Sequence, residues 1–67
     1  PLSEQEKKVL GLITQGHSNA EIAEILILSV KTVETYKYRI MDKLQVKKRS
    51  ELVKYARQQG LLRDDNG

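Results

Sequence analysis

The 67-residue chain contains no cysteine, which excludes a disulfide framework and a thiolate metal site and suits a reducing cytoplasm. Its single histidine, His17, cannot form a metal site alone. No acid/base pair is flagged by spacing and His17 has no cysteine or second histidine beside it, so an enzyme is the least supported class. Long apolar runs are missing too. The longest, Ile25 to Leu28, is far short of the roughly 20 residues needed to cross a bilayer, and no secretory pattern opens the chain. A soluble, cytoplasmic protein with no membrane partner, metal or cofactor is the expectation. Internal repeats and low-complexity tracts are also absent. The chain opens on Pro1 rather than methionine, which suggests either processing or, as the favoured reading, a fragment of a longer protein.

A chain of this length makes one domain that hides only about 60% of the surface its unfolded form exposes, so its core is small. Charge is unevenly distributed. Residues 1–29 hold Lys7 and Lys8 against Glu4, Glu6, Glu21 and Glu24, net −2, whereas residues 30–67 hold ten Lys/Arg against five Asp/Glu, net +5. A one-sided basic field favours phosphate-rich partners, although a solvated face accounts for most charge runs in small proteins.

Ser3 with Glu6 three positions later is a capping-box pattern, and Val9, Leu10, Leu12 and Ile13 behind it give an apolar helical face. A first helix is expected from about Glu4 to Gln15, ended by Gly16. Ser18 and Glu21 repeat the capping pattern before a short second helix with Ile22, Ala23, Ile25 and Leu26 as its apolar members. Ile27 and Leu28 connect tightly to Ser29, which can cap a third helix, and two helices joined by about three residues form a helix-turn-helix. That third helix runs to Leu44. Lys47, Lys48 and Arg49 make a basic connection to a fourth helix, about Arg49 to Gln59, carrying Leu52, Val53 and Ala56. Gly60 ends it, Leu61 and Leu62 are expected to fold back onto the core, and residues 63–67 form a polar, frayed tail.

The third helix carries the chemistry. Val33, Ile40 and Leu44 form a narrow apolar seam bordered by Tyr36 and Lys37, while Lys31, Glu34, Thr35 and Tyr38 line the opposite side as one stripe of donors, acceptors and an aromatic ring. Such a stripe on a helix about 22 Å long suits a DNA major groove about 12 Å wide. Lys31, second in its helix, opposes the macrodipole unless a phosphate lies nearby; a tolerated surface lysine is the plain alternative. Thr32 offers its hydroxyl and backbone N–H to a phosphate, or merely caps the helix. Glu34, read as lying in the first turn, either suits the dipole there or accepts from a cytosine amino group. Thr35 is the strongest base-contact candidate. Tyr38 is a large aromatic that core packing does not explain. Tyr36 is expected to be partly buried, and Lys37, Arg39 and Lys43 to reach phosphates, with solvated surface as their rival role. Asp42 repels phosphates, so only the first half of the helix is expected to enter the groove.

These residues carry a family resemblance. Leu2-Ser3 with Glu6 and Val9-Leu10, Gly16 with Ser18-Asn19 and Glu21-Ile22-Ala23, Leu26 with Ser29, Lys31-Thr32-Val33, Ile40, Lys43-Leu44, Val46, Arg49 and Gly60-Leu61-Leu62 together resemble the DNA-binding domain of LuxR-type (NarL/FixJ) transcription regulators. The Thr-Val-Glu-Thr-Tyr run is most similar to the two-component response regulators of that family. The resemblance implies an all-α, compact four-helix domain over residues 1–62, with the third helix in the major groove and the second crossing the backbone. It places base contacts on Glu34, Thr35 and Tyr38, and phosphate contacts on Ser18, Asn19, Thr32, Lys43 and neighbouring basic residues. Taken with the stripe and its flanks, the expected base contacts are Lys31, Glu34, Thr35 and Tyr38, and the expected phosphate contacts Ser18, Asn19, Thr32, Tyr36, Lys37, Arg39 and Lys43. It further implies a homodimer on double-stranded DNA through the fourth helix, a receiver domain earlier in the full-length chain, and RNA polymerase as a further partner. Gln5 stands where a basic residue is common, Lys8 where an acidic one is, Tyr36 where histidine is, and Lys48 where a capping residue is. A weaker cap on the fourth helix follows from the last of these. A different class of function remains open at this stage: a helical protein-interaction module docking a partner through the fourth helix, with Lys54, Tyr55 and Arg57 as its surface, the same residues that would serve a dimer.

Overall fold

The computed structural model describes residues 1–60, and the expectations for Leu61, Leu62 and the tail lie outside the described residues. Four helices follow one another: α1 (Glu4–Thr14), α2 (Asn19–Leu26), α3 (Val30–Leu44) and α4 (Arg49–Gln58). The ends of α1 and α4 fall one residue short of the expected positions.

Each helix begins where the sequence signals it. Ser3 Oγ accepts from the Glu6 N–H (3.2 Å) while Glu6 Oε1 accepts from the Ser3 N–H (2.8 Å), and Ser18 and Glu21 repeat this reciprocal pair at 3.1 and 2.9 Å. At α4 the expected weakness is half made good. Lys48 has no side-chain oxygen to offer, but Glu51 Oε1 accepts from the N–H groups of both Lys47 (2.9 Å) and Lys48 (3.0 Å).

The helix ends share one device that sequence reading recognises only where glycine announces it. Gly16, Ile27 and Gln45 all adopt left-handed backbone, with φ of 96°, 56° and 54°. After each, the next N–H reaches back five residues, from His17 to the Leu12 carbonyl, Leu28 to Ala23 and Val46 to Met41. This is the Schellman arrangement, which satisfies carbonyls left open at a helix end.

The core consists of Val9, Leu10 and Ile13 from α1, Ile22 and Ala23 from α2, Val33 and Ile40 from α3, and Leu52 and Ala56 from α4. Helix α1 packs against all three of the others, and α2 packs against α3. One member of the expected apolar face of α2 is misplaced: Ile25 is 51% exposed. Ile22 and Ala23 define the inward direction of this eight-residue helix, and Ile25 lies about 110° from their mean at 100° per residue. Leu44 and Val53 are half-buried rather than buried.

Ile27 joins two unfavourable features, a β-branched side chain in left-handed backbone and 90% exposure. The backbone cost for a residue with a Cβ is roughly 1–2 kcal/mol, and little burial offsets it here. Ile27→Asn and Ile27→Gly are therefore expected to stabilise the domain by about 0.5–1 kcal/mol in urea unfolding. A lower midpoint for both variants would contradict this account of the turn.

Candidate nucleic-acid interface

Helix α3 divides cleanly between core and solvent. Val33 and Ile40, seven residues apart, are fully buried, and Tyr36 and Leu44 are half-buried against the same core. Lys31, Glu34, Thr35 and Tyr38 are all exposed on the other side, Tyr38 by 77%. Thr35 Oγ1 donates to the Lys31 carbonyl (3.1 Å), so its own helix takes the hydroxyl proton. Its methyl group and oxygen lone pairs remain for a partner.

The head of α3 differs from the other three. Glu6, Glu21 and Glu51 each occupy the third position of their helix and accept backbone N–H groups there, whereas α3 has no acidic residue in its first turn. Glu34 was expected in that turn but lies beyond it, since Ser29 is the cap and Val30 the first helical residue. The macrodipole acts mainly within the first turn, so the dipole explanation for Glu34 is weakened. In place of a carboxylate, Ser29 Oγ accepts from the Thr32 N–H (3.1 Å) and pairs with Thr32 Oγ1 (2.8 Å). This corrects one expectation: the Thr32 N–H caps its own helix and is not free for a phosphate. Thr32 itself is half-buried, with its hydroxyl paired to Ser29.

The expected phosphate contacts separate onto two flanks. At 100° per residue Thr32, Arg39 and Lys43 lie to one side of the stripe, and Lys37 and Met41 to the other, with Glu34 at its edge. Arg39 is exposed, with no ion pair among the described residues. Lys43 Nζ lies 2.8 Å from Glu6 Oε1, so its ammonium ties α3 to α1. Tyr36 packs against the core and is half-buried. On the other flank a cleft of about 490 Å³ is lined by Lys37, Met41, Glu34 and Tyr38 from α3, Asn19 from α2, Lys47 from the turn into α4 and Arg49 from the first position of α4. Ser18 is exposed at the head of α2, where its hydroxyl oxygen caps the helix and leaves the proton free to donate.

Lys47 and Arg49 line this cleft although neither was singled out from the sequence. The signal was the basic run Lys47-Lys48-Arg49, which periodicity reads only as a connection. Arg49 also donates through Nη2 to the Ile13 carbonyl, binding α4 to the end of α1. On α4, Lys54 and Arg57 are exposed while Tyr55 is half-buried against the core. Among the described residues no three His, Cys, Asp or Glu side chains are grouped to hold a metal, and no helix is long and apolar enough to cross a membrane.

Three carboxylates are held below their ordinary range. Glu6 is lowered to about 2, chiefly by the Lys43 hydrogen bond and then by the Ser3 backbone N–H. Glu21 is lowered mainly by the Ser18 N–H, with His17 Nδ1 at 3.5 Å adding to it, and Glu51 by the Lys47 and Lys48 N–H groups.

Four helices, the second and third joined by a three-residue turn, and a polar outer face on the third define a helix-turn-helix DNA-binding domain. The chain matches the family described as bacterial regulatory proteins, luxR family, over residues 1–56, and it belongs to that family of DNA-binding, non-enzymatic transcription-regulator domains. It is 52% identical over 61 residues to the oxygen regulatory protein NreC of Staphylococcus carnosus (strain TM300), covering 91% of this chain and 28% of the relative. The proteins of the same name from Staphylococcus aureus strains JH9 and USA300 show the same identity and coverage. The chain thus spans little more than a quarter of the length of these relatives.

A carboxylate whose folded pKa is depressed contributes stability that is fully present above its unfolded pKa and is lost as pH falls through the folded one. For Glu6 that window runs from 4.5 down to about 2. The thermal midpoint followed by circular dichroism is expected to fall across this window, with Glu21 and Glu51 contributing in the same direction. Glu6→Gln should be less stable at neutral pH and show a flatter acid limb. An acid limb as steep as that of the unmodified protein would refute the assignment.

Proposed function

We propose that this domain is the DNA-binding output domain of a bacterial response regulator, acting in the cytoplasm on a specific double-stranded site. The carrying observation is the division of α3. Its seam is held in the core by Val33 and Ile40, so Lys31, Glu34, Thr35 and Tyr38 project together from a rigid element. With α3 in the major groove, Glu34 accepts from a cytosine amino group, Thr35 sets its methyl against a thymine, and Lys31 and Tyr38 complete the readout. Ser18, Asn19, Thr32, Lys37 and Arg39 hold the backbone, and Tyr36 and Lys43 act mainly by positioning α3.

A receiver domain in the remainder of the protein fits the length of the NreC relatives, and their name, oxygen regulatory protein, suggests an oxygen-linked signal. The domain pairs with a second copy through α4, where Lys54 and Arg57 are exposed beside half-buried Tyr55 and Val53. RNA polymerase is the further partner. In such a dimer the half-sites lie about one helical turn apart.

Selection of bound duplexes from a random library tests this directly and yields the site, its symmetry and its spacing. Binding to the selected site should weaken steeply with salt, by about 0.9 unit of logarithmic slope per phosphate contacted. Thr35→Ala and Tyr38→Ala should each cost about 1–3 kcal/mol of affinity and relax preference at a different base pair. In Glu34→Gln an unchanged site preference would leave Thr35 and Tyr38 as the readers. Recovery of no preferred sequence would overturn the reading. Amide shifts caused by a protein partner and confined to residues after Arg49, with α3 indifferent to DNA, would instead favour an interaction module.

A further inference from the structure

The cleft beside the reading stripe has walls from three separate elements, and its charges are unequal in their freedom. Lys37, Lys47 and Arg49 are cationic and Glu34 is anionic. Arg49 already donates to the Ile13 carbonyl. Lys37 and Lys47 make no ion pair among the described residues, and they face the cleft from different walls, one from α3 and one from the turn into α4. Asn19, the first residue of α2, adds an amide.

The wall that carries Lys47 is held in place. Gln45 turns the chain in left-handed backbone, the Val46 N–H returns to the Met41 carbonyl (3.0 Å), and Val46 packs against the core. The Lys47 N–H is then fixed by Glu51 Oε1 (2.9 Å). Lys47 is therefore presented by a rigid turn, and so begins with less backbone entropy to lose on meeting a partner.

We propose that this cleft seats one backbone phosphate of the bound duplex, with Lys47 and Lys37 as its cations and Asn19 as its amide donor. The inference rests on α3 lying in the major groove. A helix about 10–12 Å across fills a groove about 12 Å wide, so the two DNA backbones must run along the two flanks of α3. Thr32 and Arg39 serve one flank, and the cleft receives the other strand. Glu34, on the stripe side of the cleft, repels a phosphate and keeps it at the outer rim near Lys47, which leaves the carboxylate to the bases. The seat thus adds to the interface a residue outside the helix-turn-helix.

The test compares Lys47→Ala with Lys48→Ala, which removes the same charge from the next residue, one that does not line the cleft. Both side chains are exposed, so thermal unfolding is expected to report an intact fold. In fluorescence titrations, Lys47→Ala should weaken binding to the selected and a scrambled duplex by a similar factor and lower the salt slope by about 1, whereas Lys48→Ala should leave the slope unchanged. Duplexes carrying one neutral methylphosphonate locate the contact. At one position the substitution should weaken the unmodified protein several-fold and leave Lys47→Ala unaffected. An undiminished salt slope in Lys47→Ala, an equal loss in Lys48→Ala, or no position with that selective effect would overturn the seat while leaving the groove reading standing. Failure of the unmodified protein to bind any duplex would overturn both.

Discussion

The structure depends on one buried oxygen. Glu6 is 3% exposed, and its Oε1 accepts from both the Ser3 N–H at the head of α1 and the Lys43 ammonium on α3. A carboxylate removed from water is costly unless hydrogen-bonded and paired, and these two donors supply both conditions. The result is a junction at which the start of α1 and the C-terminal half of α3 fix one another. At the other end of α1, Arg49 reaches the Ile13 carbonyl and fastens α4. Between these polar ties lie Val9, Leu10 and Ile13, the apolar contribution of α1 to the shared core.

This arrangement grips α3 unevenly. Val33 and Ile40 hold both halves of the helix in the core and Lys43 adds a polar tie to the later turns, whereas the opening turn bears no carboxylate and is capped by Ser29. An anionic ligand meets no repelling group there, and the unsatisfied N–H groups and the dipole both attract it. At the other three helix heads a carboxylate, Glu6, Glu21 or Glu51, already accepts backbone N–H groups. The proposed reading half of α3 is thus the helix head whose electrostatics differ from the rest.

What the sequence disclosed, and what it hid, follows the range of the interactions involved. Ser3 with Glu6, Ser18 with Glu21, and Gly16 act within a few residues, so a local pattern reveals them. The exposed stripe was equally legible, because helical periodicity alone brings Lys31, Glu34, Thr35 and Tyr38 to one side. The Glu6–Lys43 tie spans 37 positions and has no local trace, so the sequence shows Lys43 only as a cation flanking the stripe. Ile27 and Gln45 take the left-handed conformation without glycine, under the demand of the helix ends they close. Ile25 was assigned to the core by type, although the direction set by Ile22 and Ala23 excludes it. Lys47 required the tertiary placement of a turn against α2 and α3.

The proposed interface is therefore composite in a way that separates its two tasks. The stripe belongs to a single helix and would keep its spacing in any scaffold that holds α3. The flank belongs to three elements, since Asn19, Lys37 and Lys47 meet only because α2, α3 and the turn into α4 are fixed by the core and by Glu51. Contacts to phosphates position a protein on a duplex without reading it, and contacts to base edges read it. Substitutions in the stripe can then change which site is preferred without disturbing the placement of α3. Loss of the core packing or of the turn geometry instead removes the phosphate contacts first and weakens binding to every sequence alike.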